Sequence, residues 1–338
     1  MNAWFPIAKA NGTVVFIDVN GRECLEIKGD RGFTVMETFS LVLEGSLLFA
    51  VDRGGAKNLV DKGQVGTFLS SGYAKCWIGE VYHKRCGVVD CSGKWVVPPV
   101  YEGVSAIADG HYVAQMPAGQ TPPYGSSLYR LSGQLVLPEF SPVAQGIGDG
   151  CVVSNDPNNL SLSGYRQFDG TWVTEPKYEF AYPFYKGKGA VNTRKGRCRV
   201  PAFVNREGKE IAYFKDFREF SPLKDCFSDD AISVWGKEVG FVDLNGDLLF
   251  SGSYELVGRM CDGAVAVMVD DLWGLMSRSG DWIIRPKFPR YVGARSGFFV
   301  FGDQSEWFKS RRYLMNSRGE LLYEEAADGV SFWFSQFS

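Results

Sequence analysis

The chain has 338 residues, 45% of them hydrophobic, and its 25 Phe, 15 Tyr and 9 Trp are enough for a large buried core. A net charge of −3 argues against a general nucleic-acid binder, because phosphate recognition rests on basic surface. No apolar run approaches the roughly 18 residues of a membrane helix, and the start MNAWFPIAKANG lacks the basic-then-apolar order of a secretory leader, so a cytoplasmic protein is expected.

From the N-terminus onward one short pattern keeps returning. VFIDVNGRECLEI is centred on Gly21, and a degenerate copy, NLVDKGQVGTFLSSG, is placed on Gly63. GVVDCSGKWVVPPVYE follows at Gly93, SLYRLSGQLVLPEFSP at Gly133, GYRQFDGTWVTEPKYE at Gly170 and AFVNREGKEIAYF at Gly208. GFVDLNGDLLFSGSYE at Gly246, GLMSRSGDWIIRPKFP at Gly280 and YLMNSRGELLYEEA at Gly319 complete nine turns. From Gly93 onward the intervals are 40, 37, 38, 38, 34 and 39 residues, a period that marks a repeat array. Residues 1–80 are read as degenerate N-terminal repeats or a capping region, and 81–338 as the array.

Each unit has the same plan. A short apolar strand ends in Asp, Asn or Ser, two polar residues and a glycine make a tight turn, and a second strand follows, as in Trp95-Val96-Val97. The turn glycine supplies the positive φ that hairpins commonly need. Proline is expected to stop the second strand by removing a ladder donor. A third strand follows a further small turn, as in DGHYVAQM, DGCVVSN and DGAVAVMV. Three short strands per 38 residues or so, with no helical periodicity, predict an all-β fold.

The pattern G-h-h-D-x-x-G-x-W-h-h-x-P-x-Y/F-D/E, with h hydrophobic, resembles the WG-repeat family of bacterial β-rich proteins. It is clearest at 87–102, 164–179 and 274–288, and Trp273-Gly274 keeps the name-giving dipeptide. The resemblance implies a repeat scaffold that serves binding, and supplies no catalytic machinery. Trp95, Trp172 and Trp282 hold identical places in their units, so they are expected to pack between neighbouring sheets rather than to stack a ligand. Units that bury one another predict a propeller-like array, with an open β-solenoid as the alternative. The aromatic tail SFWFSQFS is read as a final strand that caps an open end or closes a ring.

Little speaks for an enzyme, a cofactor or a metal. His83 and His111 have no nucleophile motif beside them. The glycine-rich stretches match no phosphate cradle, and the eight cysteines form no CxxC pair, so they read as reduced thiols, with a disulfide framework as the alternative because their number is even. Acid pairs such as Asp229-Asp230 and Asp270-Asp271 read as solvated turns.

Departures from the repeat are the candidate sites. KGKGAVNTRKGRCR carries Lys186, Lys188, Arg194, Lys195, Arg197 and Arg199 with no acid among them, suiting an acidic partner. Two polar loops, PAGQTPPYGSS from Pro117 and DPNNLSLSG from Asp156, would form a binding face if they share a rim. GDQSEWFKSRRY groups Trp307 and Phe308 with Arg311 and Arg312, an interface composition. The expectation is a monomeric, non-enzymatic scaffold binding another protein, without cofactor, membrane or nucleic acid. The association of such repeats with bacterial conflict systems suggests an immunity or effector-accessory protein. The alternative is a carbohydrate- or cell-wall-binding module, or a glycoside-active enzyme.

Overall fold

A computed structural model of the chain describes residues 3–325 except 33–38, 63, 71, 80–83, 118–125, 142–145, 157, 221–226 and 304–310. The described residues form strands and turns, with no helix. The strands make nine antiparallel sheets, eight of four strands and one of three, each a meander of consecutive strands. We number these blades 1–9: residues 5–28, 31–62, 64–101, 103–141, 147–178, 180–213, 217–252, 256–288 and 290–325. Strands are called first to fourth in chain order. By its turn at Gly21, blade 1 shows the second to fourth.

Four strands per blade is one more than the sequence plan. The missed strand is the first, which in blades 2, 5, 6 and 8 spans two residues only: Arg31–Gly32, Ile147–Gly148, Phe180–Ala181 and Leu256–Val257. Two residues give no period to read. The first strands lie innermost, that of blade 4 (Gly103–Ala108) touching its counterparts in blades 3 and 5.

Because alternate side chains of a strand point to opposite faces, each blade packs on two neighbours. In blade 3, Cys86, Val88 and Val97 face blade 4, whereas Ala74, Cys76 and Val89 face blade 2. Nine such cores result, one per neighbouring pair. The ninth joins the two ends of the array: Phe298, Val300 and Leu314 of blade 9 pack on Phe5, Ile7, Val15 and Ile17 of blade 1. Across this joint Asn316 donates from Nδ2 to the Val19 carbonyl (3.0 Å), and Arg318 donates to Asn20 Oδ1 (3.0 Å). The ring is closed, and the fold is a nine-bladed β-propeller. An open solenoid would leave two apolar end faces without a neighbour. The SFWFSQFS tail lies outside the described residues.

The nine turn glycines all have positive φ, between 76° and 91°. In blade 3 the Gly93 amide donates to the Asp90 carbonyl, and Asp90 Oδ1 accepts from the amides of Ser92 and Lys94. Asp18, Asp52, Asn205, Asp243 and Asn316 repeat this two-amide cap. The cap corrects the second repeat: its turn glycine is Gly55, three residues after Asp52, and not Gly63. The fourth strand behind Gly55, Lys57–Lys62, has neither tryptophan nor proline, which hides the unit in the sequence. One sheet, 64–101, runs across the boundary at residue 80.

The family's glycine, tryptophan and proline serve one joint. In blades 3, 5 and 8 the third-strand glycine (Gly87, Gly164, Gly274) sits where the pairing register with the fourth strand shifts. A Cβ on Gly274 would stand 2.6 Å from the Ile284 carbonyl oxygen, 2.8 Å from the Pro286 nitrogen and 2.8 Å from the Trp282 ring. The fourth strand thus bulges over the glycine, and the tryptophan ring covers it. Trp95 packs into the core between blades 2 and 3, and Trp282 into that between blades 7 and 8, as expected. Proline does not stop the strand: Trp95–Tyr101, Trp172–Tyr178 and Trp282–Phe288 each run through theirs. It lies in the bulge of the outermost strand, where a missing N–H breaks no ladder.

Candidate functional site

In an antiparallel meander every second connection lies on the same side, so the ring has two unlike faces. One carries the turns between first and second strands and between third and fourth. The other carries the links between second and third strands and the passages from blade to blade.

The first face is uniform in its turns between third and fourth strands, four residues long in blades 2–9 and five in blade 1, while its links between first and second strands run from two residues to ten. Six of its turns, in blades 4–9, place two consecutive residues at positive φ, from Asp109-Gly110 to Ser296-Gly297. They are tied from blade to blade. Asp109 Oδ2 accepts from the Gly150 amide (2.8 Å), Asp149 Oδ2 from Gly187 (2.5 Å) and Asp229 Oδ2 from Gly263 (2.8 Å). Asp262 Oδ2 accepts from the Ser317 hydroxyl (2.8 Å). Asp109→Ala is expected to cost about 1–2 kcal/mol, from the lost acceptor and an alanine forced to left-handed φ. Asp109→Asn keeps both features and should stay within about 0.5 kcal/mol. Scanning calorimetry would compare them, and equal losses would show that charge rather than the hydrogen bond holds the latch.

The second face is irregular. Its connections are two or three residues long in blades 1, 2, 7 and 8, but residues 79–84, 116–125 and 303–311 link the strands in blades 3, 4 and 9. Blades 5 and 6 instead carry extended hairpins. In blade 5 the buried Asn155 amide donates to the Leu160 carbonyl (3.0 Å) and to Ser163 Oγ (3.2 Å), fixing the stretch that exposes Leu160. The strand ends flanking PAGQTPPYGSS, DPNNLSLSG and GDQSEWFKSRRY therefore open on one face.

The basic run is divided between the two faces. Lys186 and Lys188 belong to the uniform face, where Lys186 pairs with Asp230 (2.6 Å) and Lys188 Nζ donates to the Leu244 carbonyl. Arg194 and Lys195 sit at the far end of the strand Lys188–Lys195, about 20 Å away at ~3.3 Å per residue, with Arg197 in the turn that follows and Arg199 on the next strand, Cys198–Asn205. There Arg194 and Arg199 both donate from Nε to Glu179, Arg199 reaches Glu219 (2.8 Å), and Lys195 pairs with Glu210 (3.3 Å). Burial works to raise the pKa of Glu179, but the two arginines outweigh it and hold the carboxyl below its ordinary range. Sequence reasoning missed these acids because they lie elsewhere in the chain, Glu179 in the passage from blade 5 and Glu210 and Glu219 on other strands. Glu179 was nonetheless visible, as the closing acid of the repeat pattern shared with Glu102 and Glu255.

Trp307 and Phe308 lie outside the described residues. Arg311 pairs with Glu324 (3.3 Å), and Arg312 with Glu325 (3.0 Å), the latter pair mostly covered. His111 sits against Phe168, with ring centroids 4.3 Å apart, and His83 is outside the described residues. Cys76, Cys86, Cys151 and Cys261 are buried, and burial pushes the thiol of Cys86 up to about 11 and that of Cys261 up to about 12. Cys24, Cys91 and Cys198 are exposed free thiols. Among the described residues no group of three or more His, Cys, Asp and Glu could hold a metal ion, and no helix is long and apolar enough to cross a membrane.

Comparison with known proteins agrees with this architecture. The family described as WG containing repeat matches residues 87–116, 169–195 and 273–301. The chain carries WG repeats. Each matched WG stretch begins in the third strand of a blade or the turn after it and ends in the second strand of the next blade or one residue past it. No curated protein sequence matches the chain. Among solved structures it is similar to a eukaryotic initiation factor, at 9% identity over 97% of this chain and 96% of that one, with a TM-score of 0.56. It is also similar to prolyl endopeptidases, at 11% identity over 96% of this chain and 50% of theirs, with a TM-score of 0.46. An uncharacterized protein from Listeria monocytogenes matches at 11% identity over 73% of this chain and 90% of that one, with a TM-score of 0.42. At 9% identity the likeness to the initiation factor concerns the fold alone.

Proposed function

We propose that this WG-repeat propeller is a non-enzymatic scaffold that binds another protein through its irregular face. The observation that carries the reading is the contrast between the faces. A ring that only had to fold would close every hairpin with a short turn, as the first face does between third and fourth strands, in four or five residues in all nine blades. The other face breaks that rule with the long links of blades 3, 4 and 9 and lengthens the hairpins themselves in blades 5 and 6, and connections held by a rigid scaffold are where proteins commonly place recognition. A monomeric, cytoplasmic immunity or effector-accessory protein is the role that WG repeats suggest, by association with bacterial conflict systems.

The test uses the full chain as bait in lysate of its native organism, followed by mass spectrometry and calorimetric titration of the recovered protein. One stoichiometric partner is expected, and a variant in which residues 116–125 are replaced by a two-residue turn should lose it while keeping its melting temperature. A clean blank together with retention on peptidoglycan or glycans would overturn the reading in favour of a carbohydrate-binding module.

A further inference from the structure

One element of blade 6 exceeds what the ring needs. Its second and third strands, Lys188–Lys195 and Cys198–Asn205, pair over eight successive positions. The first strand covers only Val191 and Asn192, and the fourth pairs only with Ala202, Phe203 and Val204. From Thr193↔Val200 to Lys195↔Cys198 the hairpin therefore runs on as a two-stranded ribbon, roughly 10 Å beyond its sheet at ~3.3 Å per residue.

The ribbon breaks a pairing rule. Arg194 and Arg199 stand directly opposite one another, an arrangement that like charges disfavour. Lys195 and Arg197 add two more cations at the tip. The structure shows what relieves the repulsion: the Glu179 carboxylate, only 17% exposed, is held between the two arginines. Arg194 uses only its Nε–H there and leaves its side chain 68% exposed. Arg197 is exposed and, among the described residues, has no acidic partner. The base of the ribbon is flanked by the exposed rings of Phe180 and Tyr213, with Lys195 Nζ 4.4 Å from the centroid of the latter.

We propose that this ribbon is a docking arm for an acidic, extended segment of a partner protein, an inference that rests on the scaffold reading above. Glu179 is the chain's own example of the ligand: a carboxylate received by guanidinium groups already fixed in place. Arg197 and the outer N–H groups of Arg194 are left to receive further carboxylates. Phe180 and Tyr213 supply the aromatic neighbours that accompany arginine in interfaces. A polynucleotide fits less well, because the basic surface ends with the ribbon, Glu179, Glu210 and Glu219 border it, and the whole chain carries −3.

The test is a fluorescence-anisotropy titration of the full chain with a labelled peptide of alternating Glu and Ser, about ten residues long. Oligothymidylate of the same length serves as the rival polyanion. Arg197→Glu, at the tip and clear of the Glu179 cluster, is expected to weaken peptide binding about tenfold or more, with Arg197→Lys in between. Unchanged affinity in R197E, or tighter binding of the oligonucleotide than of the peptide, would overturn the arm. R197E is also used as bait beside the wild-type chain. Recovery of the same partner in undiminished amount sinks the arm and leaves the scaffold standing, whereas a blank with the wild-type bait sinks the scaffold while the peptide titration still decides the arm.

Discussion

Truncation of Phe298 to alanine is expected to cost about 3–5 kcal/mol, the usual range for emptying a buried phenylalanine site. Phe298 is fully buried in the core between blades 9 and 1, its ring centroid 5.3 Å from that of Phe5. Its chain neighbour Phe299 is as deeply buried but faces blade 8. The pair forms an internal control, because the two side chains differ in little except the blade they touch. A closed ring predicts similar losses for Phe298→Ala and Phe299→Ala. If blades 9 and 1 were apart in solution, Phe299→Ala would keep its full cost and Phe298→Ala would fall to about 1 kcal/mol or less, since a side chain already in water leaves no cavity. Equilibrium unfolding in guanidinium, followed by tryptophan fluorescence, measures both.

Closure also explains why the array could be read from the sequence while its parts could not. The DxxG turns were legible because each blade rebuilds the same capped hairpin, and a cap that needs Asp or Asn at one end and positive φ at the other leaves few choices of residue. The first strands were not legible. In blade 6 that strand is Phe180–Ala181, positioned by the passage from blade 5 and by its pairing with Val191 and Asn192 rather than by a pattern of its own. The WG stretches straddle two blades, so the unit that recurs in sequence is the joint between sheets and not the sheet.

The candidate site shows the same division. That the stretches 117–127 and 156–164, the second a hairpin of two strands rather than the loop expected, share a rim follows from counting strands, and an undetected first strand in each blade would have put that count out by one. The basic run looked like a single patch because charge density along a chain ignores direction. A β-strand of eight residues carries its two ends to opposite faces, which is why Lys186 meets Asp230 while Arg194 meets Glu179. Partners on other strands, such as Glu210 and Glu219, are set by pairing and ring geometry, which no local stretch encodes.

The joint at Gly274 makes the sharpest prediction about the repeat itself. Gly274→Ala puts a methyl group against the Ile284 carbonyl, the Pro286 nitrogen and the Trp282 ring at once. Two of these are backbone atoms held in a bulge, so the expected cost is about 1–3 kcal/mol, the range for overpacking a well-filled site. Blade 4 indicates how the clash is relieved. It has the same register shift, but Ser127 stands in place of the glycine and Leu135 in place of the tryptophan. A buried Cβ is thus tolerated where the ring above it is gone. Trp282→Leu alone should also destabilise, by about 1–3 kcal/mol, through lost burial in the core between blades 7 and 8. The double variant G274A/W282L should lose less than the sum, with a coupling of about 0.5–3 kcal/mol as expected for side chains in contact. Strict additivity in guanidinium unfolding would mean that the bulged backbone alone forbids the methyl group. Coupling would mean that glycine and tryptophan recur together because the ring occupies the space the glycine leaves open.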